Sequence, residues 1–489
     1  LSKRQITIVT LALLLSNAMS GLDATIVNTA LPAIIADLHG LRWMAWIVAV
    51  FLLGTAVSTL LWSKLGERIG NKASYQLAAV FFVVGSLLQG LAPNMLTLIL
   101  ARGLAGLGNG GMVSLPYIIY ADLYARPRQR MQVLGFVSAS YSAATIIGPL
   151  VGGAIVDTLS WHWVFYLNVP IGLLSAVLVQ VFYRQPRRPR PSGPTDTLGA
   201  GLMVLGLISL LGGIELIGTA SALAVAGCLV VALGAFGGLV HVERRASDPI
   251  IPGRLFHDRA LVVDFALFTL IWGAFVGFLT YSPMWAQGLI GTTALIGGAT
   301  QIPSSITDFF GSEAVPELRR RFSPHQVVGL GIITLIIAFV LMVGAGVHAP
   351  YWLLLVAGAF EGFGNGACFN ELQVKVQQDA APADVPVATS FSFLIRMLSQ
   401  TFTTAIFGLL MNRALARGIA HAKDHITMAM MNKLSDAASR SALPQHLLPQ
   451  MRAILHGGLH QIMGLSLALM LVAGAINWWA QRQARLGQA

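Results

Sequence analysis

This chain has little charge. Only 10% of its 489 residues are Asp, Glu, Lys or Arg, against about 25% in a typical soluble domain. Cysteine is nearly absent as well. Cys228 and Cys368 both lie inside apolar runs, so two free thiols and no disulfide framework are expected. Also missing are a convincing nucleophile, a metal-ligand set and a phosphate loop in a strand–loop–helix setting, which argues against an enzyme. No cleavable signal peptide is evident. The N-terminal LSKRQ leads straight into apolar sequence and reads as the basic start of a first span. In place of charge, 55% of the residues are hydrophobic and the mean hydropathy is +0.72. These values describe a polytopic membrane protein, in which the repeating unit is a run of about 20 apolar residues. The net charge of +11 could point to nucleic acid. The basic residues, however, are scattered in short clusters between apolar runs, as in cytoplasmic loops facing anionic lipid.

About fourteen segments reach spanning length: 5–34, 43–63, 73–92, 95–121, 131–156, 163–183, 197–217, 221–241, 260–286, 290–312, 326–346, 350–376, 386–411 and 460–480. With the N-terminus inside, alternate loops hold Lys64, Arg68 and Lys72, then Arg126, Arg128 and Arg130, then Arg184, Arg187, Arg188 and Arg190. Arg244, Arg245, Arg254 and Arg259 follow, then Arg319, Arg320 and Arg321, with Lys375 alone at the last inner loop. The intervening loops hold almost no basic residues, so both termini are predicted inside. One segment strains the pattern. The loop 412–459 falls outside by parity yet carries Arg413, Arg417, Lys423, Lys433, Arg440 and Arg452. Its ITMAMMNKL and HLLPQMRAIL stretches suggest amphipathic helices at the outer surface; a miscounted span upstream is the alternative.

Ser138 to Gly153, SASYSAATIIGPLVGG, is the organising stretch. In water it would make a poor helix, since an interior glycine costs about 1 kcal/mol and a proline about 3. In a membrane, neighbouring helices satisfy the backbone freed by proline, and small residues let helices approach closely. Gly148, Pro149, Gly152 and Gly153 therefore mark a tight seam with a kink at the proline. A second pattern is repeated: Gly106-Leu-Gly-Asn-Gly110 recurs as Gly362-Phe-Gly-Asn-Gly366, each deep in an apolar run. If the repeat is structural, the two copies lie in the fourth helix of two six-helix halves. That predicts an N-terminal half over 1–190, two extra helices within 191–245, and a C-terminal half over 246–489. Parallel six-helix repeats are the plan of one large transporter fold.

These residues also carry a family resemblance. LDATIVNTALP from Leu22, SKLGERIGNK from Ser63, ARGLAGLGNG from Ala101, GPLVGG from Gly148 with WHWVFYLNVPIG from Trp161, and SDPIIPGRLFHDR from Ser247 occur in that order. Together they resemble the major facilitator superfamily, in particular its fourteen-helix drug:proton antiporter branch (the QacA/EmrB type). The resemblance covers nearly the whole chain except 412–459. It implies an all-α membrane fold of two six-helix halves plus two helices, in a bacterial cytoplasmic (inner) membrane. It implies no cofactor beyond protons as coupling ion, a lipophilic small-molecule substrate, and a periplasmic adaptor protein as a partner. Departures are present: Ser63 stands for the first glycine of the loop signature and Glu67 for its aspartate. The equivalent loop of the second half, PELRRRFSPH, has Arg320 near the acidic place. Ala49 and Ser392-Phe393 stand where dication exporters are expected to have acids, which argues against broad export of dications.

Charges inside spans are costly and are functional candidates by default. Asp23 is mid-span in the first helix. In an apolar interior a carboxylate is driven toward its protonated form, and a bound cation drives it back; that competition is a physical basis for antiport. Arg102 cannot usefully deprotonate, so it would set the field around a carboxylate. Structural readings, a helix–helix hydrogen bond for Asp23 and carbonyl-satisfied burial for Arg102, remain beside these. Asp308, by resemblance, matches a substrate-site aspartate, with Glu361 and Asp264 as weaker candidates. Trp46, Tyr117, Tyr141, Tyr281, Trp285, Phe309 and Phe393 could stack on flat or cationic compounds, although most membrane aromatics pack or anchor. Glu67, Arg68 and Lys72 read as a gate latch, because exposed ion pairs worth about 0–1 kcal/mol suit a reversible switch. His421/His425 and His456/His460 have the spacing of two ligands on one helix face but lack completing residues, so no metal is expected. The expected function is a proton-coupled antiporter exporting hydrophobic or cationic compounds by alternating access, with substrate between the halves. The alternatives are an exporter of a specific metabolite, lipid or siderophore, an importer, and a non-transporting receptor or scaffold. No nucleic acid is expected as a partner.

Overall fold

The computed structural model describes residues 2–124, 127–185, 197–217, 221–244, 253–381, 384–422 and 424–486. The side chains of Glu67 and Tyr141, and the basic clusters over 125–126, 186–196 and 245–252, lie outside the described residues. By contacts the chain divides into two compact units, Leu1–Thr195 with Thr293–Gly298, and Asp196–Thr292 with Ala299–Ala489.

The first unit contains six long helices: α1 (Lys3–Leu38), α2 (Met44–Ile69), α3 (Asn71–Gly90), α4 (Met95–Leu123), α5 (Pro127–Thr158) and α6 (Asn168–Phe182). Local chemistry sets their ends. Ser2 and Gln5 form a reciprocal capping box that starts α1, and His39 in the left-handed region (φ 54°) ends it. Gly70, at φ 99°, makes the one-residue turn between α2 and α3, a conformation that suits glycine because it lacks a Cβ. Within the unit, α4 packs on α2 and α3, α1 packs on α5 and α6, and α3 packs on α6.

The second unit contains α7 (Thr197–Glu215), α8 (Ala222–Glu243), α9 (Arg259–Trp285), α10 (Ile302–Leu318), α11 (Pro324–Gly344), α12 (Tyr351–Asp379), α13 (Val385–Ala420) and α14 (Leu448–Leu486). Its last six helices repeat the packing order of the first unit: α12 on α10 and α11, α9 on α13 and α14, α11 on α14. The pair α7–α8 packs on itself, and α7 also touches α13.

The two GxGNG copies show why this order repeats. In α4, a Cβ at Gly106 or Gly110 would meet the α2 backbone at Phe51 and Thr55, and one at Gly108 would meet α3 at Ala78 and Phe82. In α12, Gly362 and Gly366 sit on α10 at Ser304 and Asp308, and Gly364 sits on α11 at Gly331. The first and last glycine of each copy thus seat one neighbour, and the middle glycine seats the other. Small residues at such seams are the membrane alternative to a hydrophobic driving force.

Among the described residues, eleven helices are long and apolar enough to cross a membrane. The expected count of fourteen is not reached by that measure. In α5 and α7 the described apolar stretches, Ala143–Thr158 and Leu198–Ile214, are short. The third shortfall, α10, has 17 residues and carries Asp308, Glu313 and Glu317. The surface is inverted relative to a water-soluble protein. Leu96, Leu100, Val230 and Leu233 are exposed while Asp23, Arg102, Asp264 and Glu361 are buried, as a lipid environment requires.

Two expectations need correction. The spans expected to end at 411 and to start at 460 are longer: α13 continues to Ala420 and α14 starts at Leu448, so the connection shrinks to 421–447, and helix is found there as expected, in the short Met428–Leu434 and Ala437–Arg440. Its basic residues are partly structural. Arg440 donates 2.8 Å hydrogen bonds to the carbonyls of Gln287 and Gly291, closing the helical extension of α9. Lys375 is not a loop charge at all. It lies inside α12, 7% exposed, paired with Asp264 and Asp379.

Candidate functional site

In the first unit the buried charge is gathered at one point. Asp23 of α1 and Arg102 of α4 form an ion pair of 2.9 Å, 1% and 3% exposed. The other Asp23 oxygen, Oδ1, accepts from Asn168 Nδ2 of α6 at 2.8 Å. Arg102 donates to the Ile47 carbonyl of α2 at 3.2 Å and to Gln89 Oε1 of α3 at 3.3 Å. Its guanidinium lies 3.9 Å from the Phe51 ring centroid. Five of the six helices therefore meet at one carboxylate–guanidinium pair. A buried pair this well provided with partners can persist, whereas removing one member leaves an uncompensated charge. Trp46 is half-buried beside Ile47.

The sixth helix, α5, is tied in through the GPLVGG seam. A Cβ at Gly148 would meet Thr25 of α1, and one at Gly152 would come within 2.6 Å of Ile26. Gly153 faces the backbone of Leu295, and Gly298 faces the carbonyl of Pro149. The Asp157 carboxylate at the end of α5 accepts the backbone N–H groups of Ala294 and Leu295 at 3.1 and 2.9 Å. Pro149 itself sits within one continuous helix.

In the second unit, Asp308 and Glu361 come together. Asp308 Oδ1 accepts from Asn365 Nδ2 at 2.7 Å, and Ser304 donates to Glu361 Oε2 at 2.5 Å. Ser304 and Asp308 are one turn apart on α10; Glu361 and Asn365 are one turn apart on α12. The two carboxyl groups are within electrostatic reach of one another, and Arg396 of α13 is within reach of Asp308. The Arg396 guanidinium lies 4.8–5.8 Å from the ring centroids of Phe393, Phe369 and Trp272. Tyr281 is buried with its ring edge-on to Phe407, and Trp285 is edge-on to His456. Tyr117 and Phe309 point outward, 47% and 48% exposed.

The expected latch is only partly visible. The Glu67 side chain is not among those described, Arg68 is exposed, and the Lys72 backbone N–H donates to Gln185 at 3.0 Å. At this same end of the first unit Asp122 accepts from Tyr183 at 3.0 Å. Within the second unit Arg319, the residue that caps the C-terminus of α10, holds the buried Glu371 of α12 at 2.8 Å. His456 and His460 use their i, i+4 spacing to reach the Ala345 and Val343 carbonyls at the end of α11. These rings complete a helix C-terminus, and no group of three candidate ligands occurs among the described residues.

Sequence reasoning missed the supporting amides. Asn168 lies in WHWVFYLNVPIG and Asn365 in the GxGNG repeat, so both were on view as polar residues within spans. Their partners depend on helix rotation, which the sequence alone does not specify.

Comparison with known proteins bears on the family and the fold. The Major Facilitator Superfamily profile matches residues 13–404. The chain is 30% identical over 417 residues to the multidrug transporter protein MdtP of Bacillus subtilis (strain 168), covering 84% of this chain and 76% of that protein. It is 30% identical over 434 residues to multidrug resistance protein 3 of the same organism, covering 88% and 81%. Among solved structures, a bacterial homolog of the human lysosomal transporter Spinster, inward-facing and occupied, superposes with TM-score 0.67 over 99% of this chain and 98% of that one, at 17% identity. A POT family peptide transporter superposes with TM-score 0.68, also at 17% identity, over 98% and 97%. At such identities the likeness speaks for the fold alone. The chain is thus a multi-pass membrane transporter that belongs to the Major Facilitator Superfamily.

Proposed function

We propose that the protein is a proton-coupled antiporter of the fourteen-helix drug-exporter branch, removing hydrophobic or cationic compounds from the cytoplasm. The observation that carries this reading is the buried Asp23–Arg102 pair at the meeting point of five helices. A proton on Asp23 would cancel the charge that holds Arg102 while leaving Arg102 its contacts to Gln89, Ile47 and Phe51. Unit 1 would then loosen at α1 and α6 and stay tied at α2 and α3. Intramembrane carboxylates of this kind belong to ion pathways by default. The similarity to multidrug transporters supports the substrate class, and Asp308 with Glu361 supplies acceptors for a cation in the second unit. In this reading α5, α7 and α10 also cross the bilayer, the three-part division at 190 and 245 holds, and both termini are cytoplasmic, in a bacterial inner membrane.

The test is efflux of a fluorescent lipophilic cation from energised cells, wild type beside Asp23→Asn and Asp308→Asn. Gradient-driven export by wild type, lost in Asp23→Asn with the protein still folded, is the expected result. Full coupling in Asp23→Asn would sink the mechanism, and no export by wild type would sink the substrate class. An Asp308→Asn protein that loses cations but still moves neutral compounds would make Asp308 the recognition charge.

A further inference from the structure

Three charges at the α9–α12 contact are not used by the mechanism above. Lys375 Nζ lies 2.9 Å from Asp264 Oδ1 and 2.6 Å from Asp379 Oδ2. Asp264 is completely buried, Lys375 is 7% exposed and Asp379 is 27% exposed. Two carboxylates thus share one ammonium. The arrangement is asymmetric in a way that matters. Asp379 is one turn from Lys375 on the same helix, so that pair survives any movement of α12 as a body. Asp264 is on α9, and its second oxygen, Oδ2, is buried without a hydrogen-bond partner. If α9 and α12 separate, Lys375 keeps Asp379 while Asp264 keeps nothing.

We infer that Asp264 is a second proton-binding site, closed while Lys375 holds it and loaded when the α9–α12 contact opens. A buried carboxylate left without its cation is an uncompensated charge in the interior, and binding a proton removes that charge. In the step, a hydronium ion that reaches the opened contact gives its proton to Asp264 Oδ2: one O–H bond of the hydronium breaks, the Oδ2–H bond forms and a water molecule is released. Lys375 remains an ammonium on Asp379, and no oxidation state changes. Closing the contact reverses the step and returns the proton to water. A two-proton cycle, with Asp23 in one unit and Asp264 in the other, follows; this part rests on the proton-coupled reading above.

The charged and titratable groups around the site are these. On α12, Glu371 is taken up by Arg319, which caps the C-terminus of α10. On α11, His325 is within electrostatic reach of Lys375 and Asp379, and Asn477 of α14 donates to its carbonyl. Arg396 of α13 faces Trp272, eight residues and about 12 Å along α9 from Asp264. His257, in the turn before α9, is exposed on the Gly253 carbonyl. Among these groups no cation other than Lys375 forms an ion pair with Asp264, so the fate of Asp264 depends on that one contact.

The test does not need transport. Infrared spectra of the purified full-length protein at neutral pH would be taken for wild type, Lys375→Met, and Lys375→Met with Asp264→Asn. The expected result is a protonated-carboxyl C=O band that appears in Lys375→Met and disappears in the double variant. No gain of a band, or a band that persists in the double variant, overturns the inference. Should Lys375→Met not fold, the proton-to-substrate ratio in proteoliposomes decides with Asp264→Asn alone. A ratio lower by one proton supports the site, and an unchanged ratio overturns it. Loss of coupling confined to Asp23→Asn would leave the infrared result standing, so failure of either reading can be told from failure of the other.

Discussion

At the scale of single residues, the first unit depends on a pair whose members cannot be removed separately without cost. Arg102→Met strands Asp23 at 1% exposure, and breaking a buried pair from one side typically costs about 3–5 kcal/mol. The double variant Asp23→Asn with Arg102→Met removes both charges and should recover much of that loss. Thermal unfolding in detergent checks the difference; equal losses in single and double variants would show that the pair is not the source. Asn168→Leu should cost less, about 1–3 kcal/mol, because it leaves one buried carboxylate oxygen without its donor. Asp23 and Arg102 were each conspicuous in the sequence as charges inside apolar runs. That they face one another was not, because they lie 79 positions apart on different helices.

At the scale of helices, glycines separate into those that seat a neighbour and those that do not. A Cβ at Gly366 would overlap the Asp308 carbonyl, whereas Gly237 in α8 has nothing within 4 Å. Gly366→Ala is expected to destabilise by about 1–3 kcal/mol through overpacking. Gly237→Ala is expected to be neutral or to stabilise by up to about 1 kcal/mol through helix propensity. Unfolding midpoints of the two variants under one detergent condition would check this ordering, and a reversed order would refute the seam. The repeat of GxGNG was legible in the sequence, and its division of labour between two neighbours was implicit in the glycine spacing. The connection 421–447 was not legible. The apolar period of α13 and α14 fades before their helices end, and Arg440 takes its partners from a helix end about 150 residues away.

At the scale of the whole molecule, alternation of basic loops gives an orientation that labelling can check. In a background lacking Cys228 and Cys368, Gly346→Cys should react with a membrane-impermeant maleimide on intact cells. Ser323→Cys, in the turn before α11, should react only after lysis. The reverse pattern would invert the orientation. Lys375 shows the limit of counting charges. Read along the chain it looks like a weak inner-loop signal, and in three dimensions it is a buried partner of Asp264. A rule based on linear position cannot tell a lysine in a loop from one that a carboxylate on another helix has drawn into the interior.

The amino-acid sequence by itself determined the class of environment, the helical content and the internal repeat. Scarcity of charge, run length and glycine spacing are local properties, and a bilayer leaves backbone groups little alternative to helix. It also singled out Asp23, Arg102, Asp308 and Glu361, since charge in an apolar run is visible without coordinates. Only the tertiary structure decided who meets whom: Asp23 with Arg102 and Asn168, Asp308 with Asn365, Lys375 with Asp264, His456 and His460 with the end of α11. The reason is geometric. A partner is chosen by the rotation and depth of two helices that pack together, and those are set by all the small residues along the seam at once.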